Sequence, residues 1–134
     1  MYASADDLRN RLGAAVWREI YPDGLHALED LADAQAEIDG AVGLRYELPV
    51  TDPGAVALLR SWTLTLAEER AYTRASGARY SEKVKSRAAL VRTRLDEIRR
   101  EEFRLPGAKE RASEALSFLS MDPPVFGRDT LKRF

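Results

Sequence analysis

The chain contains no cysteine and only one histidine among its 134 residues. Without cysteine it can form neither disulfide bonds nor metal sites built on thiolates. The single histidine, His26, has no companion motif, and no glycine-rich phosphate loop is present. We therefore expect a protein that is not an enzyme, with no catalytic residues, no cofactor and no metal.

The sequence also lacks a long hydrophobic run. Its most apolar stretch, residues 55–72, is too short to cross a bilayer and is also interrupted by Arg60 and Ser61. No apolar segment follows a positively charged start, which argues against a signal peptide. We expect a protein without membrane contact that folds in the cytoplasm.

What the chain does have is a composition of 45% hydrophobic and 32% charged residues, which is typical of a globular domain. At this length a single domain is expected, large enough to bury a hydrophobic core. We expect a helical domain over residues 1–105 and a partly extended C-terminal extension over residues 106–134.

Residues 55–72 form the part around which the rest is organised. On a helix their apolar side chains cover most of the circumference, which predicts burial on every side. Asp52 can cap the free N–H groups, Pro53 suits the first helical position, and Gly77 suits the end. We therefore predict a buried central helix over about residues 53–76.

Other helices flank this one. Ser4, followed three residues later by Asp7, predicts the start of a first helix that Gly13 breaks or bends. Residues 14–20 add a short helix, and a longer helix is predicted from about Leu25 to Val42. The chain is thus expected to be all-α, a small bundle of four to five helices.

The helix over residues 25–42 has two contrasting faces. Leu28, Leu31, Ile38 and Val42 are spaced for one apolar face. The opposite face is acidic and is expected to face solvent or a partner; it carries Glu29, Asp30, Asp33, Glu37 and Asp39. In the link after this helix, Leu44, Tyr46 and Leu48 alternate as in an extended segment packed against the bundle.

A last long helix is expected after Ser81, a possible cap. Its apolar positions, spaced four and three residues apart, are Val84, Ala88, Val91, Leu95 and Ile98. Its polar face is basic. As an alternative function, residues 79–104 could serve as a nucleic-acid-binding or packaging-associated module, although no aromatic residues interleave and acidic residues dilute the positive charge.

Charge is distributed unevenly along the chain. Residues 1–50 hold four arginines against ten acids, a net charge of −6, whereas residues 79–104 hold nine basic residues against five acids, a net charge of +4. These can be solvated faces, or they can meet across a subunit boundary. For the second case the expected subunit contacts are Glu29, Asp33 and Glu37 on one side and Arg87, Arg92 and Arg94 on the other.

The C-terminal segment keeps apolar residues that a free tail does not usually have. Two consecutive prolines exclude a continuous helix there. The tail can fold back on its own subunit or dock into a neighbour or partner. In the second case we expect the partner contacts to be Val125, Phe126, Arg128, Leu131 and Phe134.

The order of these segments resembles a known family. The opening MYASADDL, the segment AQAEIDGAVGLRYELPV, the apolar central helix and the closing PPVFGRDTLKRF are similar to the Mu-type head–tail connector family of tailed phages, also called head completion or adaptor proteins. The resemblance covers residues 1 to about 105 and the C-terminus, and is weaker over residues 106–120.

This resemblance implies a structural virion protein at the head–tail interface, present in the host cytoplasm during assembly. Subunits would form a ring, usually a dodecamer, that joins the portal protein to the stopper or tail proteins. By analogy with adaptor rings, the C-terminal segment would reach the portal. DNA would pass through the ring without specific recognition, so a basic lumen is not expected.

Overall fold

The structure is a computed structural model that describes residues 1–75 and 82–111. Over these residues it is an all-α bundle without a β-strand, as the sequence predicts. Its helices are α1 (Ala5–Leu12), α2 (Ala14–Ile20), α3 (Leu25–Val42), α4 (Pro53–Arg74) and α5 (Glu82–Arg99).

Two of the predicted helix starts, those of α1 and α4, are confirmed by their caps. Ser4 accepts a hydrogen bond from the Asp7 N–H at 3.1 Å, and the Asp7 carboxylate accepts one from the Ser4 N–H at 3.0 Å. Asp52 caps α4 through the Ala55 N–H at 3.0 Å, with a proline in the first turn. Gly13 separates α1 from α2 with a φ of +90°, which favours glycine.

Helix α4 is the centre of the bundle, because each of the other four helices packs against it. Leu59 and Leu66 have no exposed surface, and even Thr63 is buried, with its hydroxyl donating to the Leu59 carbonyl at 2.7 Å. The helix ends at Arg74. Its predicted end at Gly77 and the cap at Ser81 lie outside the described residues.

The apolar stripe of α5 is confirmed, since every one of its members is buried: Val84, Ala88, Val91, Leu95 and Ile98. This stripe packs against α3 and α4. The basic face of α5 therefore points away from the core, toward solvent and toward the rim of the neighbouring helices.

The link after α3 is only partly as predicted. Tyr46 is buried and its hydroxyl accepts a hydrogen bond from the Leu105 N–H at 2.8 Å. Leu44 and Leu48, however, are 54% and 44% exposed, so they do not hold the link against the bundle. The expected alternation is wrong at these two positions because residues 43–45 turn and residues 48–49 bend rather than extend.

Leu28 is a second correction to the apolar face of α3. It is 55% exposed, whereas Leu31 and Ile38 are fully buried. The buried face of α3 instead uses alanines, Ala27, Ala34 and Ala41, which let α4 approach closely.

Candidate functional site

The acidic face of α3 meets arginines from α4 and α5 in the same chain. Arg70 of α4 lies 3.9 Å from the Asp33 carboxylate and 3.6 Å from that of Glu37. Both distances allow charge attraction but exceed hydrogen-bond length. Much of the negative charge that the sequence places on α3 is therefore balanced within the subunit.

Arg92 of α5 links three helices. Its Nε donates to Glu37 on α3 at 2.7 Å, and its Nη2 donates to Glu69 on α4 at 2.7 Å. These hydrogen bonds, first to Glu69 and then to Glu37, raise the pKa of the Arg92 guanidinium. The structure thus brings together two residues predicted for a subunit boundary, Glu37 and Arg92, but inside one chain.

Asp30 differs from the expectation that it lies on a solvated face. It is buried, with 3% exposure, at the point where α3 contacts α4. Arg74 donates to both of its carboxylate oxygens, at 2.8 and 3.1 Å, and the Tyr21 hydroxyl donates to one of them. Burial and the hydrogen bond to Asp30 raise the pKa of Tyr21. The prediction is wrong because Tyr21 covers this part of the helix.

Glu68 is a buried acid that the sequence interpretation missed. It lies on α4 with 5% exposure, between Arg11 of α1 at 3.6 Å and Arg87 of α5 at 3.3 Å. The signal available in the sequence was its position four residues after Leu64, in the apolar part of the predicted central helix, since a buried acid needs a cationic partner. Arg87, predicted at a subunit boundary, is one of those partners.

The remaining predicted contact residues stay apart from one another. Glu29 has a side chain that is 66% exposed and lies 3.0 Å from His26 and 3.8 Å from Arg74. Arg94 donates to Glu97 on its own helix at 2.8 Å, and its guanidinium lies 5.3 Å from the centre of the Phe103 ring.

A shallow cleft of about 460 Å³ opens where these charges meet. It is lined by Asp30, Asp33, Glu69, Arg70, Thr73, Arg74 and Arg92. The acids and arginines that line it pair with one another within the chain. Over residues 1–75 and 82–111, no group of three or more histidine, aspartate or glutamate residues is arranged to hold a metal ion.

Two further findings bear on the sequence predictions. The five tail positions, Val125, Phe126, Arg128, Leu131 and Phe134, lie outside the described residues, so their role stays a prediction. Within the part of the chain that is described, no helix is long and apolar enough to span a bilayer.

Comparison with known proteins gives one family match. The model of the family described as "Bacteriophage Mu, Gp36" matches residues 2–119. No curated protein and no solved structure matches the chain. The match spans the whole bundle, the paired acidic and basic face, and part of the C-terminal segment. The chain therefore belongs to the bacteriophage Mu Gp36 family and is a phage protein.

Proposed function

We propose that this phage protein is a structural connector, a ring that joins the portal to the stopper or tail proteins and continues the DNA channel. The observation that carries the proposal is the family match over residues 2–119, which suggests a structural or assembly protein of a phage. In this role the protein acts in the virion at the head–tail interface, after assembly in the host cytoplasm.

A closed ring needs two different surfaces on each subunit, because each copy contacts the next head to tail. In the proposed contact, Glu29, Asp33 and Glu37 of one subunit face Arg87, Arg92 and Arg94 of the next. The ion pairs within one chain indicate which of these residues are more available to a neighbouring subunit. Glu37 and Arg92 bond each other, whereas the side chains of Glu29 and Asp33 are 66% and 63% exposed.

On the basic side, the side chains of Arg87 and Arg94 are 47% and 44% exposed. The ion pair described for Arg94 is with Glu97 on its own helix, and such an exposed pair can be exchanged for a neighbour's carboxylate at little cost. We therefore place the ring contact mainly between Asp33 and Arg94 of adjacent subunits.

A charge exchange tests this contact. Asp33→Arg and Arg94→Asp should each prevent ring formation, and the double variant should restore it. Sedimentation in the presence of the phage's own portal measures the assembled fraction. Asp23→Arg, a charge change in the exposed turn before α3, is the matched control. Rings formed equally well by all variants would contradict the contact.

The second part of the proposal concerns the portal. In this part of the proposal, assembly depends on the portal because C-terminal residues contact it: Val125, Phe126, Arg128, Leu131 and Phe134. A chain lacking residues 121–134 should lose portal binding. A full-length chain with Phe126→Ser, Leu131→Ser and Phe134→Ser should lose it as well, since apolar burial drives such docking.

Native mass spectrometry distinguishes a connector from a protein that stays monomeric and does not bind the portal. With purified portal we expect a complex that holds a ring of this chain, usually a dodecamer. Unchanged portal affinity after deletion of residues 121–134 would exclude the tail contact. The absence of any complex with the intact chain would exclude the connector role.

No observation favours the alternative of a nucleic-acid-binding module on residues 79–104. In the described part of this helix and the turn after it, the arginines Arg87, Arg92, Arg94, Arg99 and Arg100 each lie within 3.3 Å of a carboxylate. A salt-dependent mobility shift of short duplex DNA at physiological ionic strength would favour the nucleic-acid-binding module over the connector.

A further inference from the structure

Helix α5 ends at Arg99, although the local sequence does not stop a helix there. The next five residues, 100–104, read REEFR and contain neither glycine nor proline, and the first proline is Pro106. Arginine and glutamate are good helix formers, whereas the residue before a proline is disfavoured in a helix. The local sequence therefore favours a helix that continues to about Arg104.

The end of α5 uses a backbone conformation that glycine normally supplies. Glu101 has a φ of +61°, in the left-handed region. Its N–H donates to the Ile98 carbonyl at 3.1 Å, and the Glu102 N–H donates to the Glu97 carbonyl at 2.7 Å. This is the hydrogen-bond pattern of a Schellman motif, in which glycine is usual at the left-handed position. Because a glutamate is strained there, contacts from other parts of the chain are needed to impose it.

Arg45, in the link after α3, supplies the first of these contacts. Its Nε and Nη2 donate to the Arg99 carbonyl at 3.2 and 2.7 Å, and its Nη1 lies 3.2 Å from the Glu101 carboxylate. In a continued helix the Arg99 carbonyl would accept the N–H of Phe103, four residues later. The Arg45 guanidinium therefore competes with a continuation of α5.

Apolar burial supplies the second contact. Leu105 is only 1% exposed, and its N–H donates to the Tyr46 hydroxyl at 2.8 Å. The centre of the Phe103 ring lies 5.9 Å from that of Trp62 on α4. In a continued helix, Glu102 would take the next position of the buried stripe. A charged residue there would not pack on α3 and α4, so the helix would project past the bundle and release both contacts.

We propose that residues 100–104 are a conformational switch with two forms. In the folded-back form, which the structure shows, contacts with Arg45, Tyr46 and Trp62 hold the chain after Arg99. In the extended form these residues continue α5 by five positions, about 8 Å along its axis. Local propensity favours the extended form and tertiary contacts favour the folded-back form. This opposition lets a modest change in contacts shift the population.

The switch determines how the following part of the chain leaves the bundle. In the folded-back form the Glu47 N–H donates to the Lys109 carbonyl at 2.8 Å, and the Arg111 N–H donates to the Arg45 carbonyl at 3.0 Å. Continuation of α5 would move residues 105–111 away from this link. A partner that binds these residues away from the link would favour the extended form, because a ligand shifts the population toward the form it binds better. The inference does not depend on the connector role.

Two substitutions of one residue test the switch in the full-length chain. Glu101→Gly and Glu101→Ala both remove the carboxylate that Arg45 contacts. Glycine adopts a positive φ freely and weakens a helix, whereas alanine keeps the strain and is the best helix former. Because both preferences act in the same direction, the ratio of extended to folded-back form should be at least about tenfold higher in Glu101→Ala. The ¹³Cα chemical shifts of residues 100–104, measured by NMR, report the helical fraction.

A second set of variants removes the contacts themselves. The double variant Arg45→Gln with Tyr46→Phe lacks the guanidinium and the hydroxyl but keeps the buried ring, so residues 100–104 should gain helical shifts. Adding Glu101→Gly should reverse that gain. Arg18→Gln, at an exposed arginine of α2, is the control and should leave these shifts unchanged. Unfolded or turn-like shifts at residues 100–104 in the double variant, or equal shifts in Glu101→Ala and Glu101→Gly, would overturn the proposal.

Discussion

Arg74 holds the buried carboxylate of Asp30 with two hydrogen bonds, at 2.8 and 3.1 Å. The two residues lie on different helices, α4 and α3, so the pair fixes the rotation of one helix against the other. A buried carboxylate without its cation is costly, because desolvation is no longer offset. We therefore expect the stability of the bundle to depend on this pair.

We predict that Arg74→Gln lowers the free energy of unfolding by about 2 kcal/mol. The loss lies below that of a fully buried pair because the Arg74 side chain is 34% exposed and Tyr21 still donates to Asp30. Urea unfolding measures it. Arg104→Gln, whose side chain is 83% exposed, is the control and should change stability by less than about 0.5 kcal/mol. Equal effects would show that Asp30 does not need Arg74.

A pH-dependent prediction concerns Asp7. The hydrogen bond from Arg60, followed by the one from the Ser4 N–H, lowers the pKa of Asp7 from 3.8 to about 2. Since the folded pKa is the lower one, the stabilisation is fully present above pH 4 and is lost as the pH falls toward 2. Because the pair is solvent-exposed, screening keeps its contribution to stability small.

The stability difference between the natural chain and Asp7→Asn should thus be present at pH 6 and vanish near pH 2. Thermal unfolding across this range measures it. Arg60→Gln should remove most of the same pH dependence, and the double variant should add little to it. A difference that stays constant with pH would contradict the assignment to Asp7.

Arg92 tests the geometry of the three-helix link. Arg92→Lys keeps the positive charge but cannot direct separate N–H groups at Glu37 and Glu69, so we predict a loss of about 1 kcal/mol. Arg99→Lys is the matched control, since Arg99 pairs with Asp96 on its own helix. Chemical unfolding of both variants gives the comparison. An equally large loss of stability in Arg99→Lys would mean that the hydrogen-bond geometry of Arg92 does not contribute specifically.

The central position of α4 predicts a large packing effect. Leu66→Ala should lower the free energy of unfolding by about 3 kcal/mol, because the side chain is fully buried and leaves a cavity. Leu90→Ala removes the same atoms from a site that is 58% exposed and should cost less than about 0.5 kcal/mol. Similar losses would place Leu66 outside the core.

The sequence by itself determined the helices and the starts of α1 and α4. Capping by Ser4 and Asp52, the break at Gly13 and the buried stripe of α5 depend on residues three to seven positions apart, and such local spacing is visible in a sequence. For the same reason the all-α class and the central helix could be predicted. The order of the segments also carried the family resemblance.

Only the tertiary structure decided which charges meet. The sequence indicated an acidic α3 and a basic α5 but not that Arg92 bonds Glu37, or that Asp30 and Glu68 are buried. Such pairs join residues far apart in the chain, so they depend on how each helix is rotated and how closely it packs. A helical period fixes which residues share a face, whereas the partner of that face is set by the packing of the whole bundle.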